Sequence, residues 1–300
     1  MEYTHQPVLL TECIEGLAIR PEGVYVDGTL GRAGHSREIA KRLTTGRLLC
    51  IDRDQAAIDA AEERLAPWRD RVTLIHSNFD RLGDILREEG IAGVDGMLFD
   101  LGVSSPQLDD PARGFTFKQD GPLDLRLDPA SGVTAAERLR ELDEEELEAL
   151  LVENADEPYA DRIARAVMQV YRRGGSVETT RQLTSLIEGA LSFLPAGERK
   201  EAVTKSCQRT FQALRIDVNS EFEVLYAFLE KLPGVLKPGG RAAILTFHSG
   251  EDRLVKKAFR QYQREGIYRE VSEDVIRPSA EECRRNPRAR STKLRWAIRA

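Results

Sequence analysis

Val24–Ser36 reads VYVDGTLGRAGHS, and its order decides how the rest of the chain is read. A short apolar run ends in an acid, Asp27, and glycines at 28, 31 and 34 carry the chain into a helical pattern. This is a strand–turn–helix signature, and it repeats. GVYVD (23–27), RLLCID (47–52), VTLIH (72–76) and GMLFD (96–100) read as strands, with helix-like stretches near 35–45, 54–66 and 80–89 between them. Apolar strands separated by single helices predict an α/β fold: a doubly wound parallel sheet with helices on both faces.

After Asp100 the rhythm changes. Residues 101–129 are rich in Gly, Pro, Ser and Asp without a sustained period, longer than a connector needs, and read as a functional loop. Residues 133–219 turn helical and read as an inserted all-helical domain of about four helices, in which the DEEELE run is a solvated face. The parallel pattern then resumes: EFEVLYAFLEKLPGVL is amphipathic, KPGG is a turn and RAAILTFH a buried strand. YREVSEDVI and TKLRWAIR read as an antiparallel hairpin closing a sheet edge. The expected domains are 1–108 and 217–300 for the two parts of the sheet domain and 109–216 for the loop and insertion.

Composition sets the outer bounds. With 300 residues, 41% hydrophobic and 31% charged, the chain has the length and core for one domain plus an insertion. No run of about 18 uncharged apolar residues occurs, and the start, MEYTHQPVLLTE, has neither a basic leader nor a long apolar core, so a cytoplasmic, membrane-free protein is expected. Cys13, Cys50, Cys207 and Cys283 lie far apart with no C-x-x-C pair, which fits reduced structural thiols. The net charge of -6 argues against a uniformly cationic surface, but Arg284–Arg299 holds basic residues and no acid, either a solvated terminal strand or a footprint for a polyanion.

The glycine turn bears on the ligand. A dinucleotide site needs G-x-G-x-x-G at a helix N-terminus, and a nucleotide-binding P-loop needs G-K-[ST]; neither is present. Asp27 would repel a pyrophosphate, whereas an acid beside Gly28, Gly31 and Gly34 suits a cationic ligand such as S-adenosyl-L-methionine. Asp52 ends the second strand, where an acid accepts hydrogen bonds from both ribose hydroxyls. The bland alternative is that Asp27 and Asp52 only cap the following turns.

Strand four delivers Asp100 to the carboxyl edge of the sheet, followed by LGVSSPQLDDPARGF. An exocyclic amine conjugated with its ring is a poor nucleophile and needs an acceptor aimed at its N–H. Asp100 is the candidate, with Ser104, Ser105 and Gln107 to orient and Phe115 or Phe117 either to stack or to pack.

DGTLGRAGHS, IDRDQAA, DLGVSSPQLDDPARGFTFKQDGPLDLRLD, RTFQALRIDVNSE, GGRAAILTFHSGEDRLVK and NPRARSTKLR together resemble the bacterial 16S ribosomal RNA cytidine N4-methyltransferase family, from His5 to Arg295. The resemblance implies a Rossmann-like S-adenosylmethionine-dependent methyltransferase acting on one cytidine in the decoding region of the small ribosomal subunit. It places the cofactor motif on Ala33, Gly34, His35, Asp52, Phe79, Asp100 and Gln107. Differences from the family pattern are Ala33 in place of a second glycine, tolerable at negative φ; ENADEPYADRIA and KSCQRTFQALR in the insertion; and Gly250 in place of leucine.

RNA contact is expected from Arg113, Arg126, Arg209, Arg215, Arg288 and Arg290, with the target base splayed from its stack. His35 is expected to bond backbone or ligand; His248 reads as a general base or as loop structure. No metal is needed for a sulfonium leaving as a neutral thioether, and no covalent step through Cys207 is implied. A homodimer is carried as an expectation. The rival readings are an NAD-dependent oxidoreductase, a paralogue methylating another RNA or DNA amine, and a catalytically inactive rRNA-binding assembly factor.

Overall fold

The computed structural model describes residues 7–300; Met1–Gln6, where the leader reading and His5 fall, lie outside the described residues. The described residues form two compact units, one of 7–102 with 222–300 and the other of 103–221.

The first unit is a seven-stranded sheet. Its strands are β1 (Val24–Asp27), β2 (Arg47–Asp52), β3 (Val72–His76), β4 (Val94–Asp100), β5 (Leu236–Thr246), β6 (Tyr268–Val271) and β7 (Lys293–Arg299), in the order β3-β2-β1-β4-β5-β7-β6. The first five pair in parallel, and β7 runs antiparallel between β5 and the edge strand β6. The terminal hairpin is therefore present, with its second strand inside the sheet. Helices α1 (Leu10–Leu17), α2 (Gly34–Ala40), α3 (Gln55–Leu65) and α4 (Leu82–Glu88) belong to the first half of this unit.

Two apolar clusters flank the sheet. One gathers Val26, Leu49, Met97 and Phe99; the other gathers Tyr25, Leu48, Cys50 and Leu98. Neighbouring strand residues fall into different clusters, as a parallel sheet covered on both faces requires.

KPGG is not a turn ahead of β5 but a bulge within it. Val94 pairs with Leu236 while Gly96 pairs with Arg241, so five residues of one strand advance against two of the other. Gly239 takes φ +76°, and a Cβ on Gly240 would come within 2.7 Å of the Lys237 carbonyl oxygen.

The second unit is helical: α5 (Ser105–Asp109), α6 (Ala135–Glu141), α7 (Glu144–Ala155), α8 (Ala160–Arg172), α9 (Thr180–Ala190) and α10 (Ala196–Asn219). Residues 133–219 thus hold five helices rather than four. The extra boundary is at Asp143, whose carboxylate accepts the Glu146 N–H at 2.9 Å while Glu146 reaches back to the Asp143 N–H, also at 2.9 Å. This reciprocal capping starts a new helix where the apolar pattern runs on. The loop 101–129 is packed rather than loose: Phe115, Leu123 and Leu125 belong to the core of this unit, and Phe117 packs on Phe211 with ring centroids 5.8 Å apart. The chain then re-enters the sheet unit through α11 (Glu221–Val235), and α12 (Ser249–Arg264) and α13 (Ala280–Arg285) complete the helices. Among the described residues no helix is long and apolar enough to cross a membrane.

Candidate active site

The carboxyl ends of β1, β2 and β4 converge at a connected set of polar groups. Asp52 at the end of β2 accepts the Gly31 N–H at 2.8 Å through Oδ2 and the Asp54 N–H at 2.9 Å through Oδ1. Its carboxylate stays half-buried, each oxygen keeping a lone pair, and burial raises its pKa. The acid thereby fixes the glycine turn and still offers acceptor capacity at the surface.

Asp27 behaves differently. It is 1% exposed, and its oxygens accept the Thr29 N–H at 3.2 Å and the Ser36 hydroxyl at 2.6 Å. Burial pushes its pKa up to about 6 against the lowering effect of those two donors. Asp27 pins the turn from inside, its carboxylate almost wholly buried.

Gly28 and Gly34 are required by close approach. A Cβ on Gly28 would lie 1.9 Å from the Phe99 ring, and one on Gly34 2.2 Å from Pro7. Phe99 has no room to yield, being fully buried and packed with Phe79 (5.5 Å between centroids) and Phe228 (4.2 Å). Phe79 is only half-buried, so its ring joins this cluster to the surface. Gly31 sits at φ +49°.

Ala33 departs from the expected negative φ. It precedes α2 at φ +59°, ψ 23°, in the left-handed region. The turn between two close approaches needs that conformation, and an alanine carries it with its methyl buried in the core.

Asp100 ends β4, its backbone N–H donating to Thr29 Oγ1. Its Oδ2 is 3.8 Å from His35 Nδ1, while Oδ1 is buried with no hydrogen-bond partner. Burial first, then the charges of Asp27 and Glu251, push its pKa up to about 7. His35 is itself buried, with Nε2 3.1 Å from the Val8 carbonyl oxygen. A hydrogen bond there places the proton on Nε2 and leaves the Nδ1 lone pair toward Asp100. Thr29 and Ser36, inside the quoted motif, carry roles that residue type alone did not reveal.

His248 precedes α12, with Nε2 3.3 Å from Glu251 Oε1 and both ring nitrogens buried without a hydrogen-bond partner; Glu251 Oε2 accepts the Phe247 N–H at 2.9 Å. Asp252 is engaged by Arg295 at 2.7 Å and by Lys293 at 3.4 Å. The four cysteines are unpaired, and burial pushes Cys207 up to about 12, which removes any nucleophilic thiolate.

The remaining expected residues fall in the helical unit. Gln107 is buried and its Oε1 accepts the Ser104 N–H at 2.8 Å across the start of α5, where Ser105 is the first helical residue. Three of the expected RNA-contacting arginines are turned inward. Arg113 donates to the carbonyls of Arg126 (3.2 Å) and Leu127 (2.9 Å), Arg126 forms a two-pronged pair with Asp124 at 2.8 Å, and Arg215 does the same with Glu221 at 2.8 and 2.9 Å. Arg209 is 4.0 Å from buried Glu157. In the sheet unit, Arg288 and Arg290 are exposed on either side of buried Ala289.

A sheet of this order, with acids at the crest of its first two strands and no phosphate loop, is a Rossmann-like methyltransferase domain. The chain belongs to the MraW methylase family, whose model matches residues 2–300. Ribosomal RNA small subunit methyltransferase H 1 of Lachnoclostridium phytofermentans is 54% identical, covering 99% of this chain and 81% of its own. The protein of the same name from Agathobacter rectalis is 52% identical, covering 99% and 85%. Ribosomal RNA small subunit methyltransferase H of Brevibacillus brevis is 42% identical, covering 99% and 98%.

Proposed function

We propose that this chain transfers a methyl group from S-adenosyl-L-methionine to the N4 amine of a cytidine in 16S rRNA of the small ribosomal subunit. The observation that carries the chemistry is Asp100: a carboxylate at the end of β4 with one oxygen buried and unpartnered, beside a turn held by two further acids. An orphaned buried acceptor costs stability unless a ligand donor meets it. Family membership and the names of the relatives support the RNA substrate.

The cofactor fits this donor set. Asp52 would accept ribose hydroxyls, and the Ala33–Gly34–His35 backbone and Phe79 would frame the ligand. When bound, S-adenosyl-L-methionine supplies an electrophilic methyl group.

The protein's own work is positioning and proton handling. Ionised Asp100 accepts an N–H hydrogen bond from the amine, aligns its lone pair and raises its electron density. The surplus proton of the methylated nitrogen is assigned to Asp100, whose pKa near neutrality suits both accepting and releasing it. The helical unit is assigned to recognising the RNA.

Calorimetry and methyl counting test the reading together. Titration with S-adenosyl-L-methionine should give one binding event, and labelled methyl should pass to small subunits lacking the modification but not to duplex DNA. Binding without transfer to subunits would leave an assembly factor, and transfer to DNA a different amine methylase.

A further inference from the structure

The helical unit carries a groove that no residue discussed above accounts for. It lies between α8 and α9, has a volume of about 530 Å³ and is lined by Arg162, Arg165 and Arg173 around a floor that includes Ala166 and Leu186. We propose that this groove docks an RNA strand, with its phosphodiester backbone along α8 and a base stacked at Phe193.

The placement follows from helical periodicity. One face of α8 buries Ala160, Ile163, Ala164, Val167 and Met168. The other sets Arg162, Arg165, Gln169 and Arg173 in one stripe, at spacings of three and four residues. At 1.5 Å per residue the stripe spans roughly 16 Å, a length that several consecutive phosphates of one strand occupy. The facing helix keeps the groove open with short side chains, and the Cβ position of Gly189 meets nothing within 4 Å.

Charge and an exposed aromatic ring favour nucleic acid. No carboxylate lines the groove, although the unit holds more acids than bases, so the cationic stripe is local and not a product of composition. Arg173 is paired with no carboxylate among the described residues. Arg165 has only an exposed contact to Glu144 at 3.4 Å, a pair of the kind that a phosphate readily replaces. At the end of the stripe the Arg162 guanidinium lies 4.0 Å over the Phe193 ring, and Phe193 remains 51% exposed. Tyr159 supports the ring edge at 6.0 Å. An exposed ring beside a row of arginines matches the way sequence-tolerant single-strand sites pair stacking with backbone contact.

This inference takes the identity of the polyanion from the RNA-methyltransferase reading, and its test separates the two. The full chain and the variant Arg162→Gln/Arg165→Gln/Arg173→Gln are titrated with a fluorescein-labelled 20-nucleotide single-stranded RNA at several salt concentrations. The triple variant should bind about tenfold more weakly, and its slope of log affinity against log salt should fall by about 2. Replacing the same three arginines by lysine should keep the slope. Phe193→Ala should weaken binding about fivefold with the slope unchanged. Calorimetric affinity for S-adenosyl-L-methionine should be unaltered throughout, which certifies the fold. RNA affinity and salt slope unchanged in the glutamine variant would overturn the groove while leaving methyl transfer intact. RNA binding through the groove without methyl transfer to rRNA would overturn the enzymatic reading instead. Binding of polyglutamate as tight as that of RNA, with Phe193→Ala silent, would assign the groove to an acidic protein and overturn the proposal.

Discussion

Asp52 Oδ2 accepts the backbone N–H of Gly31 at 2.8 Å, so the acid that ends the second strand also sets the turn that follows the first. Its acceptor capacity and the glycine turn are one device, and losing the carboxylate disturbs both.

Asp52→Ala should therefore reduce affinity for S-adenosyl-L-methionine by more than one lost hydrogen bond. Charged-acceptor bonds contribute about 1.5–3 kcal/mol each, which predicts a loss of roughly 100-fold or more by calorimetry. Asp52→Asn keeps one acceptor oxygen and should lose roughly tenfold. Equal losses for the two would mean that the carboxylate does not hold the turn.

Gly28→Ala should destabilise the sheet unit, because the new methyl meets the Phe99 ring at 1.9 Å. Overpacking of this kind costs about 1–3 kcal/mol, read as a lower denaturant midpoint. Phe99→Leu alone should also destabilise, but the double variant should be less damaged than the two losses summed. Additivity would show that the two sites are not in contact.

Ala33→Gly should leave stability nearly unchanged despite the left-handed φ of +59°. Relief of strain is worth about 1–2 kcal/mol, against roughly 0.8 kcal/mol for the buried methyl and about 0.4–1 kcal/mol for added freedom in the unfolded chain. The terms offset, which explains how alanine stands where a glycine is customary. A shift in Tm beyond about 4 °C in either direction would show that one of them is misjudged.

Asp100 should couple activity and stability to pH in opposite senses. With its pKa pushed up to about 7, kcat/KM should rise with pH to a plateau above neutrality, and Asp100→Asn should lose both the rise and most of the rate. For stability the folded pKa lies above the unfolded value of 3.8, so the contribution is full below that value and lost as pH rises through about 7. The Asn variant should match the parent near pH 4 and exceed it at pH 8 by roughly 4 kcal/mol. A constant difference across that range would remove Asp100 as the titrating group.

The sheet was readable because each of its first four strands is a short apolar run closed by a turn signal, and Asp52 and Asp100 fall at strand ends by that reading alone. What stayed hidden depends on the direction each side chain takes and on strand register, even where the partner is near in sequence. The direction of Asp27 is set by the Ser36 hydroxyl and the Thr29 N–H, and nothing in the strand pattern distinguishes an acid facing in from one facing out. The KPGG bulge exists only against the register of β4. Arg126 and Arg215 look like any exposed cations, because nothing in the sequence shows that their side chains turn onto nearby Asp124 and Glu221. Local chemistry announced the Asp143 helix start, but the continuous apolar pattern across Leu139, Leu142 and Leu147 masked it.

Nucleoside mass spectrometry on small-subunit RNA, after incubation of unmodified subunits with this protein and methyl-labelled S-adenosyl-L-methionine, tests the central claim most directly. The account predicts label in N4-methylcytidine at a single site, absent with Asp100→Asn. Label in a ring-carbon or ribose methyl group, or N4 labelling that persists fully in the Asp100→Asn protein, would contradict it.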